Sequence, residues 1–153
     1  MKNSLLISFL CSLLFVSCSS TKNTVVSSGE TLFDTSNVSR YRVLIKTGQV
    51  EISGIMLIKY ISNEWRGSLV NEFGIKAFDF VSPNGKCKLK NTIPFLDKWY
   101  IRRTIESDFT FLFWGVPAGK IKKGKSLEQF QDGKFVLKNE KQNIEYSFNY
   151  IEQ

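Results

Sequence analysis

Histidine is absent from all 153 residues. That one absence removes the most frequent general base, the side chain that titrates unperturbed near neutrality, and the commonest metal ligand. Cysteine is scarce. Of the three, Cys11 and Cys18 lie at the N-terminal end, which leaves Cys87 as the one thiol in the remainder. Lys86 and Lys88 flank it and favour a thiolate. With no histidine or second cysteine to work with, nucleophilic catalysis lacks its partner, and the apolar row around Cys87 favours burial. No Gly-rich phosphate loop, metal-ligand cluster or nucleophile elbow occurs. Asp79, Glu106 and Asp108 are the carboxylates nearest aromatic clusters, and no spacing brings two of them together for glycoside hydrolysis. No period of 20–50 residues repeats, against a solenoid or propeller. The expectation is a single domain that is not an enzyme and carries no cofactor or metal.

What is present begins with Lys2, followed by an apolar stretch from Leu5 to Val16 broken only by Ser8, Cys11 and Ser12. A membrane-spanning helix needs about 20 residues, so this shorter run reads as the core of an export signal. It ends in Leu14-Phe15-Val16-Ser17-Cys18. This resembles the lipobox of bacterial lipoproteins, with Phe15 where leucine is more usual. The resemblance implies cleavage after Ser17 and a thioether-linked diacylglyceryl group on Cys18, with palmitate-type acyl chains. Residues 1–17 are then the signal and 18–38 an acylated cysteine with a flexible tether, because Ser19 to Glu30 are Ser, Thr, Asn, Lys and Gly with only Val25 and Val26 apolar. Removing residues 1–17 takes away Lys2 and lowers the net charge from +7 to +6. In an exported chain such a balance points away from nucleic acid and toward an anionic membrane face or acidic partners; a merely solvated surface fits it as well.

From Ser39 the hydrophobic period becomes two. Tyr41, Val43 and Ile45 alternate with arginines and Lys46; Val50, Ile52, Met56, Ile58 and Tyr60 share a face; Trp65, Gly67 and Leu69 share another; Phe78 and Phe80, then Cys87 and Leu89, continue the pattern. These predict five antiparallel strands separated by the turn residues Thr47-Gly48, Ser62-Asn63, Asn71-Glu72-Phe73-Gly74 and Pro83-Asn84-Gly85. After Pro94 the spacing of Ile101, Ile105, Phe109, Leu112 and Phe113 predicts a helix over about 95–114 closed by Gly115 and Pro117, although Trp99 and Ile101 also suit a strand. Val116 to Ser126 reads as a basic loop. Strands resume at Phe135–Asn139 and Ile144–Ile151. The fold class expected for 39–153 is mainly β: a curved antiparallel half-barrel or meander of about seven strands, with one helix on its concave face.

The stretch Ile52 to Asn91 resembles the central meander of the LolA/LolB superfamily of lipoprotein carriers and outer-membrane receptors. The residues that carry the likeness are Ile52-Ser53-Gly54, Trp65-Arg66-Gly67-Ser68-Leu69-Val70, the turn Asn71-Glu72-Phe73-Gly74, and Ile75-Lys76-Ala77-Phe78-Asp79-Phe80. In LolB-type receptors an Asn-Pro-Leu-Gly-like turn carries a protruding leucine needed to pass lipoproteins into the membrane, and Phe73 stands at that position here. Glu72 replaces the proline, and the domain is shorter than the family norm. The family fold is a half-open β-barrel whose helices cover an acyl-binding cavity. The resemblance therefore implies an outer-membrane lipoprotein facing the periplasm that binds acyl chains or lipoproteins non-covalently; the alternative is an envelope structural or assembly lipoprotein that holds a protein partner by its sheet edge and aromatics.

Three sets of contact residues follow. Phe73 is the candidate membrane or client contact, unless it folds back onto its own strands. Trp65, Phe78, Phe80, Phe109, Phe113, Tyr146 and Phe148 line an apolar cavity or simply fill a core. Lys120, Lys122, Lys123 and Lys125 either touch headgroups, at about 1 kcal/mol each near an anionic surface, or are solvated loop residues.

Overall fold

The computed structural model describes residues 23–24, 32–48, 50–115, 124–130 and 132–152. The expected signal segment, Cys18 and the lysines 120, 122 and 123 lie outside these residues. Nine strands are described: β1 (Asn23–Thr24), β2 (Ser39–Thr47), β3 (Val50–Ile61), β4 (Glu64–Val70), β5 (Lys76–Pro83), β6 (Lys88–Lys90), β7 (Lys125–Gln129), β8 (Phe135–Asn139) and β9 (Ile144–Tyr150). One helix, α1 (Trp99–Trp114), separates β6 from β7. The strands form one antiparallel sheet in the order β1-β7-β8-β9-β2-β3-β4-β5-β6, and its ends do not pair to close a barrel. The mainly β, one-helix architecture is the one expected.

The alternation sets the sheet's two faces. Tyr41, Val43 and Ile45 on β2, Met56 and Ile58 on β3, Trp65 and Leu69 on β4, Phe78 and Phe80 on β5, and Tyr146 and Phe148 on β9 are all buried. The helix lays Ile105, Phe109, Leu112 and Phe113 on them. Gly67 belongs to the same inward row, paired with Phe80 across β4 and β5. A Cβ at Gly67 would collide with the carbonyl oxygen of Leu57 and come within 2.5 Å of Phe80 Cζ. The missing side chain is what lets the Phe80 ring lie against the sheet and stack on Phe113 at 5.0 Å.

Four expectations need correction. The basic loop over 116–126 does not run through Ser126, because Lys125–Gln129 form β7, paired along its length with β8. The helix starts at Trp99 rather than 95; Leu96 and Asp97 donate their N–H groups to Ile93 in a preceding turn, and Lys98 is extended at ψ 131. The stretch read as a flexible tether supplies a short strand, Asn23–Thr24 against Gln129 and Glu128. Phe33, also assigned to that tether, is 3% exposed and packs edge-on against Tyr41, Trp65 and Phe135, so the folded domain reaches back at least to Leu32. The pair Leu32-Phe33, set between Thr31 and Asp34, is too short to carry a period, and only the tertiary fold reveals its place.

The edge strand β6 is closed by the helix. Leu89 N–H donates to Glu106 Oε1 at 2.9 Å, and Arg102 Nη2 donates to the Leu89 carbonyl at 2.5 Å. Cys87 N–H donates to Thr110 Oγ1 at 2.8 Å. Side chains one helical turn apart thus occupy the backbone groups that another strand would need.

Candidate functional site

The site begins with the hairpin tip between β4 and β5. Asn71 braces it. Its Oδ1 accepts from the N–H of Phe73 at 3.0 Å and of Ile75 at 2.8 Å. Its own N–H donates to the Ile75 carbonyl at 2.9 Å, and its carbonyl accepts from Gly74 at 3.0 Å. Gly74 sits at φ +76, where a Cβ is strained. With the tip's backbone groups satisfied internally, the Phe73 side chain is held away from its strands and is 87% exposed.

The connection from β6 to α1 runs past this tip. Ile93 N–H donates to the Ala77 carbonyl at 2.9 Å, laying the segment antiparallel to the start of β5. Two residues further along each chain, Ile75 and Phe95 therefore stand at the same end of the sheet; they are 58% and 50% exposed. The helix opens there with Trp99, 73% exposed, and Tyr100, half exposed, their rings edge to face at 6.0 Å. One end of the domain thus presents Phe73, Ile75, Phe95, Trp99 and Tyr100. This set is the candidate contact surface of the domain. Sequence reading singled out only Phe73. Helical spacing held the signal for the other two aromatics on α1, since 99 and 100 fall off the row formed by Ile101, Ile105, Phe109 and Leu112.

The seven aromatics expected to line a cavity occupy the core instead. Phe78, Phe109, Tyr146 and Phe148 are fully buried, and Trp65, Phe80 and Phe113 nearly so. Ring lies against ring: Phe109 meets Phe78, Phe80, Phe113 and Tyr146 at 5.6–5.9 Å between centroids, and Phe113 stacks on Trp65 at 5.7 Å. The helix drives its own phenylalanines into the space an acyl chain would take, so this layer is filled rather than open to solvent.

Of the lysines assigned to headgroup contact, only Lys125 is described, and it is turned inward. Its side chain is 10% exposed, its Nζ lies 2.5 Å from Asp108 Oδ1 and it donates to Ser107 Oγ at 2.9 Å. Asp108 is wholly buried on α1. It also accepts from Asn139 Nδ2 on β8 and from the Tyr146 hydroxyl on β9, both at 2.8 Å. Burial, with the Asp108 carboxylate beside it, pushes the Tyr146 hydroxyl well above the ordinary tyrosine range. This cluster clamps the helix to three strands. Asp79 serves as an anchor on the outer face. Burial works to raise its pKa, but donation from Asn91, Ser68 and Lys76 outweighs that and holds it below the ordinary value.

No protein-family model and no curated protein matches this chain. Among the described residues no helix is long and apolar enough to cross a membrane. What the site can do follows from its residue types: exposed aromatics partition into an apolar or interfacial phase, and they carry no group that breaks bonds.

Cys87 is a buried thiol rather than a reactive one. It is 4% exposed, and burial, with Glu106 nearby, pushes it up to about 12. Tyr41 is likewise pushed up to about 12 by burial and by Tyr150. Both groups are held neutral by the fold. The stability they contribute is complete below their unfolded values and is lost as pH rises from about 9 toward 12. In residues 31–153 the urea midpoint should therefore fall steadily from pH 9 upward, and Cys87 should react with a disulfide dye at pH 8 only as fast as the domain unfolds. Rapid labelling of the folded domain would show the thiol to be accessible.

Proposed function

We propose that this chain is a LolB-like, lipid-anchored envelope protein that handles acyl chains or acylated clients at its aromatic end. It is held through acylated Cys18 on the periplasmic side of the outer membrane. The observation that carries the reading is Phe73, almost fully exposed on a tip whose backbone is internally braced. A rigid support aims the ring, and exposure leaves it nothing to do for the core. The position also matches the protruding leucine of LolB-type receptors, and Ile75, Phe95, Trp99 and Tyr100 extend the apolar area around it. Because the aromatic layer under the helix is filled, the acyl contact is assigned to this surface rather than to an internal pocket. The sealed β6 edge weighs against the competing picture of a partner strand added there.

Liposome co-sedimentation of residues 31–153 tests this. Phe73→Ala should leave urea stability within about 0.5 kcal/mol of the parent. It should weaken vesicle binding about tenfold or more, since a buried ring contributes on the order of 1.5–3 kcal/mol. Phe73→Glu should be worse for lipid and equally harmless to folding. A stability loss of roughly 3–5 kcal/mol for Phe73→Ala, or full vesicle binding by folded Phe73→Glu, removes Phe73 from the site.

A further inference from the structure

The outer face of the sheet carries a second feature, independent of the aromatic end. A shallow groove of about 410 Å³ crosses β3 to β6, with Leu57 and Val81 among its apolar lining and Lys59, Arg66 and Lys90 as its cations. Asp79 is its one acidic lining residue, and that carboxylate is already engaged by Ser68, Lys76 and Asn91. Lys59 stands directly opposite Arg66 on the neighbouring strand. Like charges so placed destabilise a sheet. Arg66 is relieved by Glu64 on its own strand. Among the described residues Lys59 and Lys90 have no carboxylate within ion-pair distance, and Asp79, which stands opposite Lys90 across β5 and β6, is engaged by the three donors just named. An acidic partner would supply the missing compensation.

We propose that this groove docks an acidic segment of a protein partner. The choice of a protein over the bilayer rests on the function proposed above. If the aromatic end meets the membrane, the strands approach it end-on and their outer face stands away from it. Val70, next to the tip, is opposite Ile55, and Arg66 is opposite Lys59. Four residues of strand put the cation pair about 13 Å further from the tip, beyond the screening length of about 8 Å at physiological salt. Headgroups under the tip are therefore poorly placed to neutralise it, while an extended acidic peptide lying across the strands reaches all three cations and covers the apolar floor.

The test uses the full chain in neutral-detergent micelles and a fluorescent octaglutamate peptide. Binding should be saturable and should weaken with salt. The triple variant K59Q/R66Q/K90Q should weaken it about tenfold or more, because three charge-assisted contacts are lost together. The charge-matched variant K98Q/R103Q/K141Q should change it by less than about threefold, the share left to the overall field. If the triple variant unfolds in urea earlier than the parent, K59Q/K90Q, which spares the Arg66–Glu64 pair, replaces it and should still weaken binding several-fold. Phe73→Glu should leave peptide binding by the full chain intact while removing vesicle binding by residues 31–153, which lack the anchor and serve for every vesicle measurement, so this proposal and the lipid reading fail separately. Equal weakening by both triple variants, no saturable binding, or a loss of binding to phosphatidylglycerol vesicles in K59Q/R66Q/K90Q larger than in Phe73→Glu would overturn it.

Discussion

Asp108→Ala should cost the folded domain about 3–5 kcal/mol, the range for removing one partner of a buried ion pair. The carboxylate is fully buried and serves three strands at once: Lys125 on β7 at 2.5 Å, Asn139 on β8 and Tyr146 on β9 at 2.8 Å. Alanine leaves a nearly buried ammonium with only Ser107 Oγ at 2.9 Å, and strips the Asn139 and Tyr146 donors of their acceptor. Domains of this size hold about 5–15 kcal/mol in total, so the variant should sit close to its unfolding threshold at 37 °C. Lys125→Met should also be destabilising, because it leaves the wholly buried Asp108 carboxylate without a counter-charge and with two neutral donors only. Urea denaturation of the two variants of residues 31–153 decides the matter. A loss below about 1 kcal/mol for Asp108→Ala would mean that the helix is held by its apolar face alone.

Phe109→Ala should also cost about 3–5 kcal/mol. The ring is fully buried and touches Phe78 and Phe80 on β5, Phe113 one turn along, and Tyr146 on β9. Its removal opens a void that surrounding aromatics are too rigid to refill, and a dry apolar void of that kind takes up benzene or xenon. Benzene should therefore raise the melting temperature of Phe109→Ala and leave the parent unchanged. The result bears on function as well as stability. Were the layer between helix and sheet an open acyl pocket, truncating Phe109 would enlarge space already present, the loss would fall below about 2 kcal/mol, and the parent itself would respond to benzene.

The features readable in advance are those with a local period. The buried rows of β2 to β5 and β9 came from alternation, and α1 from Ile105, Phe109 and Leu112, because a face that must be buried repeats its chemistry every two or 3.6 residues. The strand β7 escaped because it holds one apolar residue, Leu127, amid Lys125, Ser126, Glu128 and Gln129, most of them half-buried. The clamp could not be read either. Asp108 finds its partners 17, 31 and 38 residues away, on three different strands, and no spacing rule links them. Lys125 was misassigned for the same reason: a lysine in a basic run is solvated unless the fold supplies a buried carboxylate. Phe73 was legible because a turn signal framed it. Its neighbours at the end face were not, since Phe95 and Trp99 are brought to that end of the sheet by the course of the chain after the Ile93–Ala77 backbone bond.

The sealing of β6 sets how this molecule can associate with its own kind. In the language of polymer chemistry, a sheet with two bare edges is a difunctional monomer: each unit adds a neighbour on both sides, and growth has no natural end. Here Arg102 and Glu106 occupy the Leu89 carbonyl and N–H, so one of the two ends is capped. The opposite edge is the short β1, paired to β7; a second copy added there would turn its own capped edge outward, and lateral addition would stop at two. If the proposed anchor at Cys18 crowds such chains on one surface, they can reach high local concentration without seeding a fibre.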